Sequence, residues 1–166
     1  MTGPRILDAA AQGRAVRLSA LPGAPKQARA FVVGALGQWH VSPETIEAAE
    51  LIASELVTNA VLHTGRVDGL PEPGPTETVK VIRVRVGIVL GNVVIEVWDN
   101  STEPPILNSN PLDANAEGGR GLFLVGELSK DWGYSLLKFG GKVVWASIAR
   151  ANMAWRHDPV STSGSA

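Results

Sequence analysis

The sequence predicts an α+β fold, a two-layer sandwich with helices on one face of a mixed, mostly antiparallel sheet. Two pairs of apolar segments, each joined by a turn that contains glycine, predict two β-hairpins. Two stretches with apolar residues at helical spacing precede the first hairpin, and a shorter one lies between the hairpins. A chain of 166 residues, 45% of them hydrophobic, is sufficient for one globular domain with its own core.

The N-terminal part is expected to contain a loose leader, a strand and a helix. Residues 1–13 are interpreted as the leader. Alternating polar and apolar residues from Arg14 to Leu21 predict a short strand, and Pro22-Gly-Ala-Pro25 is typical of a turn. The spacing then predicts a helix from Lys26 to Trp39. Its inner stripe is expected to contain Ala28, Phe31, Val32, Ala35 and Leu36.

A second helix has clear signals at both ends. Ser42 is a favourable N-cap, and Pro43 suits the first turn because its missing N–H is not needed there. We expect this helix to continue to about His63, with Gly65 well placed to end it. The segment 66–78 is rich in proline and glycine and is interpreted as an exposed loop.

The first hairpin is predicted to consist of strands 79–89 and 93–99 around a Gly91-Asn92 turn. The segment 100–119 follows it and has little periodicity. Because long loops without secondary structure are uncommon inside compact domains, this segment is expected to be either functional or disordered.

The C-terminal part predicts a helix over 122–128 and a second hairpin of strands 131–139 and 142–149 across a Gly-Gly turn. Residues 151–166 end in small polar residues and are expected to be a disordered tail. The predicted domain therefore occupies residues 14–150.

Composition narrows the choice of partners and compartment. A net charge of −1 gives no electrostatic basis for binding nucleic acid or an anionic membrane directly. The chain has no cysteine and no long apolar segment near its start, so neither disulfides nor a secretory signal is expected. The sequence therefore favours a cytoplasmic protein that does not span a membrane.

Polar residues interrupt the second helix at regular spacing. Glu55, Asn59 and His63 stand at i, i+4 and i+8, and therefore lie on one helical face among apolar neighbours. A hydrated Mg²⁺ and a phosphate chain would suit an amide and a carboxylate there, and the carboxylate could accept a proton from an attacking hydroxyl. Alternatively this face is simply solvated, and His63 only complements the helix dipole or caps carbonyls.

The first hairpin ends on an acidic residue. Asp99 terminates an apolar strand and could accept a hydrogen bond from the exocyclic amine of a purine, and Pro104-Pro105 stiffens the chain that leaves it. The alternative is an Asx turn, in which Asp99 bonds only its own backbone.

Glycines precede the third helix, in the segment Gly118-Gly119-Arg120-Gly121. Small residues let backbone N–H groups approach a phosphate at a helix N-terminus, and Arg120 could add a charged contact to the γ-phosphate. The segment matches neither a Walker A loop nor a dinucleotide fingerprint. A flexible hinge is the alternative interpretation.

Taken together, these motifs resemble the GHKL, or Bergerat-fold, nucleotide-binding domain shared by gyrase B, MutL and sensor histidine kinases. Glu55-xxx-Asn59 is similar to its N box. Asp99 with Pro104, and Gly119-Arg-Gly-Leu122, are similar to its two glycine-box motifs. Pro104 and Leu122 thereby join the residues expected at the nucleotide. The resemblance covers roughly residues 15–149 and implies a histidine-kinase-like ATPase fold.

Within that superfamily the chain resembles bacterial anti-sigma serine kinases of the RsbW and SpoIIAB type. The resemblance implies Mg-ATP bound between helices and a lid. Asn59 would ligate magnesium, Glu55 would be the general base toward a serine hydroxyl, and Asp99 would hold the adenine amine. Gly119 and Gly121 would be lid hinge and phosphate contacts. A sigma factor and a small STAS-type antagonist would be the partners by analogy, and a homodimer is expected on the same ground.

Three functions remain open from the sequence. The first is a regulatory serine/threonine kinase that phosphorylates an antagonist protein. The second is an ATP-binding interaction module without phosphoryl transfer. The third, a detached part of a larger sensor kinase or gyrase-like machine, is disfavoured because no phosphoacceptor hairpin fits before residue 26 and no room remains for a transducer domain.

Overall fold

The computed structural model describes residues 6–10, 12–64, 80–105 and 120–150 and confirms the predicted α+β fold. The predictions for Gly65, loop 66–78, Gly118, Gly119 and tail 151–166 lie outside these residues. The helices are α1 (Ala24–Gln38), α2 (Pro43–His63) and α3 (Arg120–Leu128). The strands are β1 (Gln12–Ser19), β2 (Val81–Val89), β3 (Asn92–Asp99), β4 (Asp131–Leu136) and β5 (Lys142–Ala149).

The five strands form one sheet in the order β1-β2-β3-β5-β4. Every pairing between them is antiparallel, so the expectation of a mixed sheet is wrong in that detail. The neighbours β3 and β5 are separated in sequence by the long loop, α3 and β4. This non-local pairing brings the end of the first hairpin beside the start of β5.

The core lies between the sheet and the helices. Alternate residues of the strands point toward the helices, because successive side chains of a strand leave opposite faces. The three helices contribute their buried residues to the same cluster as these strand residues. The innermost positions of the sheet are Ile82, Val84, Val86, Val93, Ile95, Val97, Val144 and Ala146. Helix α1 buries Ala28, Val32, Ala35 and Leu36 as predicted, whereas Phe31 is only partly buried.

Local signals explain where α2 begins and how the first hairpin turns. The Ser42 side chain accepts a hydrogen bond from the Thr45 backbone N–H at 3.4 Å, which confirms the predicted N-cap. The hairpin turn is formed by Leu90 and Gly91, with φ of 48° and 78°, and Asn92 already belongs to β3. Two consecutive positive φ angles favour the right-handed twist of the flanking strands. None of the described helices is both long and apolar enough to cross a lipid bilayer.

The face of the sheet opposite the helices carries a short N-terminal segment. Residues Ile6–Ala9 form a 3₁₀ helix, and Leu7 is buried against Gly87, where a Cβ would lie 2.6 Å from the Leu7 side chain. The Leu7 backbone N–H donates to the buried carboxylate of Glu96 at 3.0 Å. The sequence predicts a loose leader over 1–13, whereas residues 6–9 pack on the sheet and β1 begins at Gln12.

Candidate functional site

Helix α2 presents Glu55 and Asn59 on its half-buried side. Both residues are partly accessible, between the fully buried positions Leu56, Val57 and Ala60. The Asn59 Nδ2 atom is buried and has no hydrogen-bond partner among the described residues. An unpaired buried amide costs about 1–3 kcal/mol, so its position favours a ligand over a purely structural role.

Gly121, in the described part of the glycine segment, contacts Glu55 of α2. A Cβ built on Gly121 would fall on the Glu55 Oε2 atom, and it would lie 3.3 Å from Glu55 Cδ. Only glycine therefore leaves the carboxylate in its present position against the first turn of α3. Two motifs 66 positions apart in the chain are brought into contact, as expected if they share one site.

The carboxylate of Asp99 lies at the end of β3 with its side chain 1% exposed. Its Oδ1 accepts hydrogen bonds from the Ser101 backbone N–H at 2.7 Å and from Lys142 Nζ at 3.0 Å. The Oδ2 atom is buried and has no partner within the described part of the chain. The Asx turn considered from the sequence is thus present on one oxygen, and the other oxygen remains available to a ligand.

Sequence reasoning missed Lys142, whose side chain is 1% exposed. Asp99 and Lys142 are directly opposite each other in the β3–β5 pairing, so their side chains leave the same face of the sheet. The preceding Gly141 has φ of 87°, and a Cβ there would lie 2.5 Å from the Asp99 carbonyl oxygen. The available signal was a lysine in an otherwise apolar strand, but its partner depends on a pairing that the sequence does not reveal.

The remaining predicted residues differ in how exposed their side chains are. Pro104 is exposed near the end of a described stretch, and Arg120 is exposed at the first position of α3. Leu122 is buried and packs in the core, so it anchors α3. His63 is the last residue of α2, where a cationic side chain would complement the helix dipole.

A concavity of about 910 Å³ lies beside the ends of β1, β2 and β3. Its described lining includes Arg17, Lys80, Arg83 and Trp98, and the Arg83 guanidinium lies 5.8 Å from the Trp98 ring centroid. Its described lining includes no residue of α2 or α3. Asp99 and Asn100 also line it, so this concavity reaches the predicted nucleotide residues at the end of β3.

Two polar groups on the helix side of the sheet, the Asn59 amide and the Asp99 carboxylate, fit a magnesium nucleotide. A half-turn of the Asn59 amide places its oxygen where Nδ2 is now, and Mg²⁺ accepts an amide oxygen together with phosphates and water. The buried Oδ2 of Asp99 suits an N–H donor such as the adenine amine. The fit rests on these two unpartnered atoms, which belong to motifs separated by 40 positions.

Comparison with known protein families gives a match over most of the chain. Residues 18–148 match the family model described as histidine kinase-like ATPase domain. This range includes β3, α2, α3 and every residue of the predicted site. The curated proteins compared with the chain contain no match.

Two solved structures are similar to the chain. One is the crystal structure of the RsbU and RsbW domains of Rv1364c from Mycobacterium tuberculosis, with a TM-score of 0.59 and 20% identity. That match covers 83% of this chain and 32% of the other, so the chain spans about a third of its length. The second is the SiaB–SiaC complex from Pseudomonas aeruginosa, with a TM-score of 0.58, 14% identity, and 81% and 88% covered. At these identities the likeness shows the fold.

Proposed function

The chain belongs to the family of histidine kinase-like ATPase domains, and on this basis we propose that it is an ATP-binding regulatory kinase. It transfers phosphate to a serine or threonine hydroxyl of a small antagonist protein. Two buried polar atoms carry this proposal, Asn59 Nδ2 and Asp99 Oδ2, which have no hydrogen-bond partner among the described residues. The contact of Gly121 with Glu55 supports it.

Nucleotide binding is assigned to the three motifs by their chemistry. Asp99 accepts the amine of adenine through Oδ2, since Oδ1 is already occupied by Ser101 and Lys142. Asn59 holds the magnesium ion. Arg120 and Gly121, in the first turn of α3, face the phosphates, because a helix N-terminus and a guanidinium both favour anions. Gly119, which precedes them in sequence, is assigned to the same contact. Pro104 and Leu122 hold the chain on either side of the lid.

Phosphoryl transfer is assigned to Glu55. When bound, Mg-ATP supplies the γ-phosphoryl group. The Glu55 carboxylate accepts the proton of the attacking hydroxyl and orients that hydroxyl. Its contact with Gly121 fixes the side chain against the first turn of α3, so the base is positioned by the same element that approaches the phosphates.

A protein partner is proposed from the motifs and from the proteins that the two similar structures contain. One similar structure is a complex of two proteins, and the other contains an RsbW domain and an RsbU domain. We propose a STAS-type antagonist as the phosphate acceptor and a sigma factor as the protein that this chain inhibits. A homodimer and a cytoplasmic location belong to the same proposal.

Nucleotide binding is tested by calorimetric titration of ATP with and without Mg²⁺. The wild type is expected to bind ATP in a magnesium-dependent manner. Asp99→Asn is expected to weaken binding by about tenfold or more, because the substitution replaces one acceptor oxygen and leaves a charged Lys142 unpaired. Equal affinity of the variant would contradict the adenine role of Asp99.

Transfer is tested with γ-radiolabelled ATP and STAS-type proteins from the same genome. Glu55→Ala is expected to retain ATP affinity within about threefold and to lose at least about a hundredfold in transfer rate. Glu47→Ala, at an exposed glutamate two turns earlier on α2, is the matched control and should transfer normally. Transfer at the wild-type rate by Glu55→Ala would remove Glu55 from the role of base. ATP binding without transfer to any acceptor would favour the non-catalytic interaction module.

A further inference from the structure

The hydrogen bonds of Asp99 are distributed unequally between its two oxygens. Both protein donors, the Ser101 N–H and the Lys142 ammonium, bind Oδ1. The Oδ2 atom is buried and has no partner in the residues that the structure describes. Each carboxylate oxygen offers two lone pairs, so Oδ1 is satisfied and Oδ2 retains its full accepting capacity.

The Lys142 side chain is as deeply buried as the Asp99 carboxylate. Both side chains are 1% exposed, and both belong to paired strands of the sheet at directly opposite positions. Gly141 places the β4–β5 turn against the Asp99 backbone, which fixes the start of β5. A buried charge without a counter-charge is very costly, so the pairing of Lys142 with Asp99 offsets the cost of burying both side chains.

We propose that Lys142 is a positioning residue that makes Asp99 select a purine with an exocyclic amine. The inference rests on the proposed ATP site and extends it to a residue outside the three motifs. Lys142 occupies Oδ1 and balances its charge, so Oδ2 is presented to the base only as an acceptor.

The selection follows from hydrogen-bond polarity. The 6-amino group of adenine donates an N–H to an acceptor. Hypoxanthine carries a carbonyl oxygen at the same position, and two acceptors facing each other in a buried site leave both unpaired. A site built for one donor rejects an analogue that lacks it. Without Lys142 the carboxylate loses the donor that holds Oδ1. It is then expected to turn, so that the adenine amine loses its acceptor and the preference for ATP falls.

The test is a calorimetric comparison of Mg-ATP with the magnesium complex of inosine triphosphate. The wild type is expected to prefer ATP by at least about tenfold. Lys142→Met removes the charge at similar length, and the preference is expected to fall below about threefold. Lys138→Met is the matched control, because Lys138 is an exposed lysine in the turn of the same hairpin. The control should keep the wild-type preference.

A second variant separates selection from folding. Lys142→Gln keeps a donor for Oδ1 without the charge, and circular dichroism reports whether each variant is folded. Lys142→Gln is expected to keep more of the preference than Lys142→Met, and a folded Lys142→Met variant that keeps the wild-type ratio of affinities would overturn the role of Lys142. Loss of folded protein in both variants would overturn it too, assigning Lys142 to stability alone. A wild type that binds neither nucleotide would instead contradict the proposed function.

Discussion

At the scale of single residues, the sheet contains charged side chains where apolar ones are expected. Glu96, Asp99 and Lys142 are each at most 5% exposed. Asp99 and Lys142 face the helices and the proposed nucleotide. Glu96 lies on the opposite face, where it accepts from Leu7 N–H and pairs with Arg85 at 3.2 Å. Its bonds hold the N-terminal 3₁₀ helix on the sheet.

Replacing Glu96 with alanine is expected to destabilise the fold by about 2 kcal/mol, because the Leu7 N–H and the Arg85 guanidinium both lose a charged acceptor. Urea unfolding followed by circular dichroism measures this change. The control is Asp8→Ala, since Asp8 binds the same Arg85 but its side chain is 58% exposed, and a change of only about 0.5 kcal/mol is expected. Equal effects of the two variants would contradict a structural role for the buried carboxylate.

At the scale of secondary-structure elements, α3 links the motifs. Leu122 and Val125 are buried in the core and fix the helix on α2 and β4. Two glycines lie on this helix in different surroundings. Gly121 contacts Glu55, whereas a Cβ on Gly126 would lie 3.4 Å from Trp132 Nε1, an ordinary packing distance. The position of α3 therefore decides where the Glu55 carboxylate can lie.

Gly121→Ala is expected to fold, with a change in unfolding free energy of less than about 1 kcal/mol, because the end of a glutamate side chain can swing away. The displaced carboxylate is expected to lower phosphoryl transfer by at least about tenfold while ATP still binds. Transfer of radiolabel from ATP to the proposed acceptor protein measures this effect. Gly126→Ala, on the same helix, should transfer at the wild-type rate; an equal loss there would point to general disturbance of α3.

At the scale of the whole molecule, the proposed site is assembled from the ends of distant elements. The middle of α2, the end of β3, the start of β5 and the start of α3 all contribute to it. A ligand that binds such a site only in the folded state must stabilise the entire domain. Its affinity and the thermal stability of the protein are therefore linked.

Mg-ATP at a hundred times its dissociation constant is expected to add about 2.7 kcal/mol of stability and to raise Tm by roughly 5–10 °C. Differential scanning calorimetry measures the shift. At the same ATP concentration Asp99→Asn should show a clearly smaller shift, because it binds less ligand. An unchanged wild-type Tm, or equal shifts in both proteins, would argue that ATP does not occupy this site.

Much of the local structure follows from sequence because it depends on nearby residues. The start of α2 needs only Ser42 and Pro43, and β5 has the predicted bounds, 142–149. Strand β4 ends at Leu136 rather than at residue 139, because residues 137–141 form the turn. The order of strands in the sheet could not be derived, since β3 and β5 pair across about forty intervening residues.

The fold class and the motif residues follow from the order of amino acids alone, because periodicity, capping and spacing are properties of neighbouring residues. Three contacts become visible only in the folded chain: Lys142 pairs with Asp99, Gly121 contacts Glu55, and Glu96 holds the N-terminal segment. Each of these contacts joins elements far apart in the chain. Their existence depends on strand register and helix packing, which the whole chain sets together through its common core.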